Sequence, residues 1–126
     1  MSGERARTAA IAVLGLRVAY GVALAAAPER LARRWLGPSA ATPPTQVPLR
    51  ALGVREALIH GGAIAVALRG GAVRPWLAAS IAGDLSDIAA TFAGRRGLPE
   101  EAPVATAVVA GASAALSAAV AAVVDG

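Results

Sequence analysis

Two pairs of titratable side chains stand at helical spacing in this chain: Glu56 and His60 are four residues apart, Asp84 and Asp87 three. Either spacing projects both members of a pair from one face of an α-helix. Arg17 and Arg55 add two guanidinium groups, and all six residues lie in stretches that are otherwise apolar. Carboxyls beside an imidazole and a guanidinium can carry a proton, hold a polar ligand or perform acid/base chemistry. In an apolar setting such groups mark ligand or proton pathways by default. The competing reading is that they are ion pairs that fix helix register and do nothing else.

Helices must position these groups. Four stretches, at about 8–27, 51–68, 75–93 and 103–124, are apolar over the roughly 20 residues that a helix needs to cross a hydrocarbon core of about 30 Å. Residues 102–124 hold no charged side chain, so that helix has no polar face to offer water. The expected fold class is all-α, with four transmembrane helices in an up-down bundle plus a short interfacial amphipathic helix. It forms one membrane domain over 1–126. Ala contributes weakly to insertion, which keeps a soluble Ala-rich bundle as the competing fold.

The interfacial helix is expected at 28–36. Pro28 suits a first helical turn, Leu31 and Trp35 share a face, and Arg30, Arg33, Arg34 and Trp35 form an anchor against lipid headgroups. Gly37 and Pro38 end it, and 37–50, with Pro43 and Pro44 inside, reads as an extended Pro-rich loop. Trp35 and Trp76 are expected near the two membrane interfaces. Gly21 with Ala25, and Gly111 with Ala115 and Ala119, offer close-packing seams, one of which could serve a homodimer. Ser113 and Ser117 are expected to bond back to their own helix.

Composition narrows the chemistry. Of 126 residues 56% are apolar and 16% charged, the mean hydropathy is +0.60, and all 12 basic residues are Arg against 8 acidic ones. A net charge of +4 spread over so apolar a chain, with few aromatics, does not make a nucleic-acid-binding face. Cys is absent, which removes thiol chemistry and Cys-based zinc sites, and a single His argues against a metal centre; no cofactor is implied. Arg17 in the middle of the first apolar run argues against a cleaved signal peptide, and no lipidation motif is present.

A depth count relates the charges. If the second and third spans form an antiparallel hairpin turning at Ala72, His60 is level with Asp84 and Glu56 nearly level with Asp87. Arg17, His60 and Asp84 then share one layer, and Arg55, Glu56 and Asp87 a second about one turn away. Each isolated charge near the midplane opposes insertion by about 2.5 to 3.5 kcal/mol. Arg17 is therefore expected to pair with Asp84, and Arg55 with Asp87. Two cations against three carboxylates leave one excess negative charge when His60 is neutral, to be met by a proton or a cationic ligand.

The segments Ala27-Pro28-Glu29-Arg30-Leu31, Arg50-Ala51-Leu52-Gly53-Val54-Arg55-Glu56 and Asp84-Leu85-Ser86-Asp87 resemble the pattern of an uncharacterised family of small bacterial four-span integral membrane proteins. The resemblance implies that Arg55, Glu56, Asp84 and Asp87 belong to the family's pattern, and it lends no activity. Length and span count also match small multidrug exporters, but Arg17 stands where those carry an acidic residue in the first span. The leading functional expectation is a protein of the bacterial inner membrane that binds or passes a small polar or amphiphilic molecule, with proton coupling through Asp84 or Asp87. The alternatives are an intramembrane acid/base enzyme of isomerase or cyclase type and an accessory subunit whose ion pairs are structural. Arg30, Arg33, Arg34, Arg50, Arg95 and Arg96 flank one face against Arg5, Arg7, Arg69 and Arg74 on the other, a weak bias toward termini outside.

Overall fold

The computed structural model describes residues 2–124, which are almost wholly helical and, among the described residues, contain no strand. Five α-helices follow in order: α1 (Gly3–Ala26), α2 (Pro28–Leu36), α3 (Pro43–Leu68), α4 (Arg74–Ala93) and α5 (Ala102–Val124). Short 3-10 turns at Gly37–Ala41 and Arg95–Gly97 sit in two of the connections. Ser2 caps α1 by accepting from the Arg5 N–H at 3.2 Å, so α1 begins five residues before the apolar run that announced it.

The segment 37–50 departs from the extended loop expected of it. After the 3-10 turn, α3 starts at Pro43 and runs for 26 residues. Pro43 and Pro44 occupy first-turn positions, where a missing N–H is no loss, and the N–H groups of Thr45 and Gln46 bond to the Thr42 carbonyl. What holds this extension down is apolar. Leu49 is buried with Leu24, Ala32 and Ala40, and Trp35, Leu36 and Leu52 pack around them. A helical stripe at Leu49 and Leu52 thus outweighed the turn signal of the prolines.

The helices associate as two close pairs, α1 with α3 and α4 with α5, and α1 also packs on α5. In the first pair Gly21 meets Gly53 so closely that a Cβ on Gly53 would lie 2.5 Å from the Gly21 carbonyl oxygen. This realises the small-residue seam read from Gly21 and Ala25. The seam read from Gly111, Ala115 and Ala119 is not used within the chain: a Cβ on Gly111 would meet nothing within 4 Å, and Ala115 and Ala119 are exposed. Nor do α3 and α4 form the tight hairpin assumed in the depth count. Their backbones scarcely touch, and side chains bridge them instead, His60 to Ser80 and the Trp76 ring over Gly62.

The α3–α4 connection is closed by glycine. Gly70 has φ +77, its N–H bonds to the Ala67 carbonyl, and the Gly71 N–H returns to Val66. This crossed pair satisfies two of the last carbonyls of α3 and needs a left-handed residue at that position. Arg7 of α1 completes the end by donating to the Ala67 carbonyl at 2.6 Å. Arg50 does the same for α1 at Ala25, and Arg74 for α5 at Ala121.

Around an apolar core, large apolar side chains also face outward while a few polar ones are buried. Leu16, Leu58 and Val109 are 70%, 71% and 71% exposed, whereas His60 and Asp84 are 2% and 4% exposed. Among the described residues three helices, α1, α3 and α5, are long and apolar enough to cross a membrane. Falling outside that set is α4, because Asp84 and Asp87 interrupt it. Trp35 on α2 and Trp76 in the first turn of α4 lie toward opposite ends of the bundle.

The Gly21–Gly53 contact yields a direct test. Gly53→Ala should destabilise the detergent-solubilised protein by about 1 to 3 kcal/mol, because backbone on both sides blocks relaxation. Gly111→Ala should be neutral or stabilising by up to about 1 kcal/mol, since it only raises helix propensity. Thermal unfolding of the two variants beside the parent checks both; equal effects would mean that α1 and α3 do not meet at this point.

Candidate functional site

Between the two apolar ends of the bundle lies a belt of polar groups. One end is filled by Ala10, Leu14, Ala63, Leu77 and Val120 with their neighbours, the other by the cluster around Leu24 and Leu49. Arg17 leaves α1 between Leu14 and Leu24 and enters the belt. Its Nη1 donates to Asp84 Oδ2 of α4 at 2.9 Å and to Ser113 Oγ of α5 at 2.5 Å, and its Nη2 donates to Glu56 Oε2 of α3 at 3.2 Å. One guanidinium therefore touches all three other long helices. The side chains concerned are largely shielded, at 15% exposure for Arg17, 20% for Glu56 and 6% for Asp84.

His60 lies one turn along α3 from Glu56. Its Nδ1 is 2.7 Å from the Glu56 backbone carbonyl and 3.4 Å from Glu56 Oε2, and its Nε2 is 2.9 Å from Ser80 Oγ. A carbonyl oxygen can only accept, so Nδ1 carries the proton and, in the neutral ring, Nε2 accepts the Ser80 hydroxyl. The bonds run in one direction, from Ser80 through His60 to Glu56. Ser80 is itself buried.

The sequence-predicted residues divide three ways. Arg17, Glu56, His60 and Asp84 come together, and Arg17 meets Asp84 as the depth count required. Asp87 is half-buried at the edge of the belt; its backbone carbonyl accepts from Thr91 Oγ1 at 2.7 Å, and Thr91 Oγ1 in turn accepts from Trp35 Nε1 at 2.8 Å. Arg55 does not join. It is exposed on the outer face of α3, and among the described residues no carboxylate lies within ion-pair distance of it, so the expected Asp87–Arg55 pair is not formed. The reason is helical geometry. Arg55 and Glu56 are adjacent, about 100° apart around the axis, and a face that turns Glu56 and His60 inward turns Arg55 away.

Two serines carry contacts that the sequence reading did not assign to them, Ser80 with His60 and Ser113 with Arg17. Ser80 stands four residues before Asp84 and Ser113 four before Ser117, so both were legible as extensions of polar faces. Ser113 takes a hydrogen bond from Arg17 rather than bonding to its own helix, and Ser117 is buried with no hydrogen-bond partner for its hydroxyl among the described residues. On α2, Arg30 and Arg34 are exposed, Arg33 pairs with Glu29 at 2.6 Å, and the Trp35 N–H is spent on Thr91 inside the bundle instead of on a headgroup.

With Arg55 outside, the belt holds one guanidinium, three carboxyls and one imidazole. That is two excess negative charges when every carboxyl is ionised and His60 neutral, one more than the sequence count. A low-dielectric surround disfavours such an unbalanced set. The chain matches no family model, and no similar curated protein or solved structure was found.

The triple engagement of Arg17 sets the expected mutational pattern. Arg17→Gln leaves Asp84 and Glu56 without a counter-charge and should cost about 3 to 5 kcal/mol, and Asp84→Asn should cost less because Glu56 and Ser113 still hold the guanidinium. The double variant should recover part of the summed loss in a thermal-unfolding cycle. Strict additivity would mean that the two side chains do not meet.

Proposed function

We propose that this chain is a multi-pass protein of the bacterial inner membrane, with α1, α3, α4 and α5 as four spans in up-down order, α2 at the interface and the termini outside. We further propose membership of the uncharacterised four-span family that its motifs resemble. The apolar exterior and the buried belt support the membrane placement. α4 crosses because Arg17 and His60 meet Asp84 and Ser80, polar groups that its own sequence would otherwise leave in hydrocarbon. The excess of Arg at the α2 end supports the orientation.

Within that frame the belt binds or passes a small polar or amphiphilic molecule carrying positive charge or a proton. The observation that carries this reading is the charge balance: one guanidinium faces three carboxyls, and Arg17 already serves two of them. Asp87 is the remaining carboxyl, half-buried on α4, a helix that packs little against α3. The Ser80–His60–Glu56 chain offers a route for a proton. A second reading, an accessory subunit with purely structural ion pairs, is favoured by the way Arg17 ties three helices and by the shielding of its partners.

Asp87→Asn separates the two. Under the binding reading a cationic small molecule copurifies with the parent, as seen by mass spectrometry, and is lost from the variant while the melting temperature changes little. Under the subunit reading the two preparations carry the same small molecules, and that outcome would sink the binding reading.

A further inference from the structure

The outer face of α3 carries a charge that the bundle does not use. Arg50, Ala51, Val54, Arg55, Leu58 and Ile59 line an open groove of about 610 Å³ along this helix. From Ala51 the lining recurs at intervals of three, four, seven and eight residues, which makes it one continuous helical stripe. Its two guanidiniums stand at the α2 end, and Leu58 and Ile59 extend the stripe about one turn further along the apolar stretch of α3. The lining is thus amphiphilic along its length, cationic at one end and hydrocarbon at the other.

Neither guanidinium is consumed by the fold. Arg50 gives one Nη1 bond to the Ala25 carbonyl and keeps the other donors of its fork, and Arg55 has no carboxylate within ion-pair distance among the described residues. An Arg at this position, one turn inside the apolar stretch of α3, reaches toward the interface on its own methylene stem. There its planar fork matches a phosphate diester, which accepts two parallel N–H bonds and neutralises the charge.

We propose that this groove holds one anionic phospholipid, its phosphate bound by Arg55 and Arg50 and one acyl chain lying along Ala51, Val54, Leu58 and Ile59. The polarity fits: the α2 end is the headgroup end, and α3 runs from there into the bundle, as an acyl chain runs into a leaflet. The inference rests on the membrane placement proposed above and is independent of the Arg17 belt. It also gives Arg55, which the belt leaves out, a partner of its own.

Native mass spectrometry of the detergent-extracted full chain, titrated with phosphatidylglycerol or phosphatidylcholine, tests it. The parent should retain one phosphatidylglycerol under activation that strips phosphatidylcholine. Arg55→Gln should lower that retention about fivefold, the effect of one basic residue near an anionic surface. Leu58→Trp, which fills the groove without changing charge, should lower it as well, whereas Arg96→Gln, at the same end but outside the groove, should not. Excess inorganic phosphate should fail to displace the lipid. Equal retention of the two lipids by the parent, no loss in Arg55→Gln, or an equal loss in Arg96→Gln would overturn the site. Displacement by inorganic phosphate with Leu58→Trp behaving as parent would show a free-phosphate site instead and overturn the lipid. None of these results touches the membrane placement, which fails separately if the chain stays in solution once detergent is removed.

Discussion

Everything in this bundle depends on one guanidinium being buried. Arg17 sits in the interior of an apolar helix, where an isolated charge opposes insertion by about 2.5 to 3.5 kcal/mol, and it is tolerated because Asp84, Glu56 and Ser113 converge on it. Those three residues come from three different helices. The α1–α3 pair is held by backbone approach at Gly21 and Gly53, and α4–α5 pack closely as a second pair. Arg17 joins the pairs by polar bonds to both, and the His60–Ser80 bond between α3 and α4 joins them again.

The basic composition follows a related logic. All 12 basic residues are Arg, and several act on helix ends rather than on carboxylates: Arg50 donates to the last turn of α1, Arg7 to that of α3 and Arg74 to that of α5. The final carbonyls of a helix lack intrahelical donors, and where no water reaches them a fork with five N–H groups can satisfy one while still facing the interface. Reading these arginines only as flanking charges captures their place in the positive-inside count and misses this second use.

Sequence reading reached the parts that follow from depth and periodicity. Helical stretches, the α2 amphipathic turn, the inward Glu56–His60 face and the meeting of Arg17 with Asp84 all rest on residues counted along an axis. It failed where lateral geometry decides. Grouping Arg55 with Glu56 ignores the roughly 100° between neighbours around a helix axis, by which the turn that brings Glu56 and His60 inward carries Arg55 out. Pro43 and Pro44 read as loop signals, but they fall in an opening turn where proline is at ease, and Leu49 gains burial by continuing the helix. The assumed α3–α4 hairpin followed from a short connection, yet chain proximity at Gly70 and Gly71 does not require the helices to stay together beyond it.

The belt separates two duties that a charge cluster usually merges. Asp84 is almost fully buried and bound to Arg17, so its charge belongs to the fold. Asp87, three residues on and on the same side of α4, is only half-buried, and its backbone carbonyl, through Thr91, ties α4 to Trp35 of α2. A carboxyl held in place by its helix but not claimed by the Arg17 pairings can exchange a proton or meet a cation without loosening them. The charges of Arg17 and Asp84 already cancel. Glu56 and Asp87 add negative charge to a place that disfavours it, and that excess is what makes the belt a candidate binding site as well as a clamp.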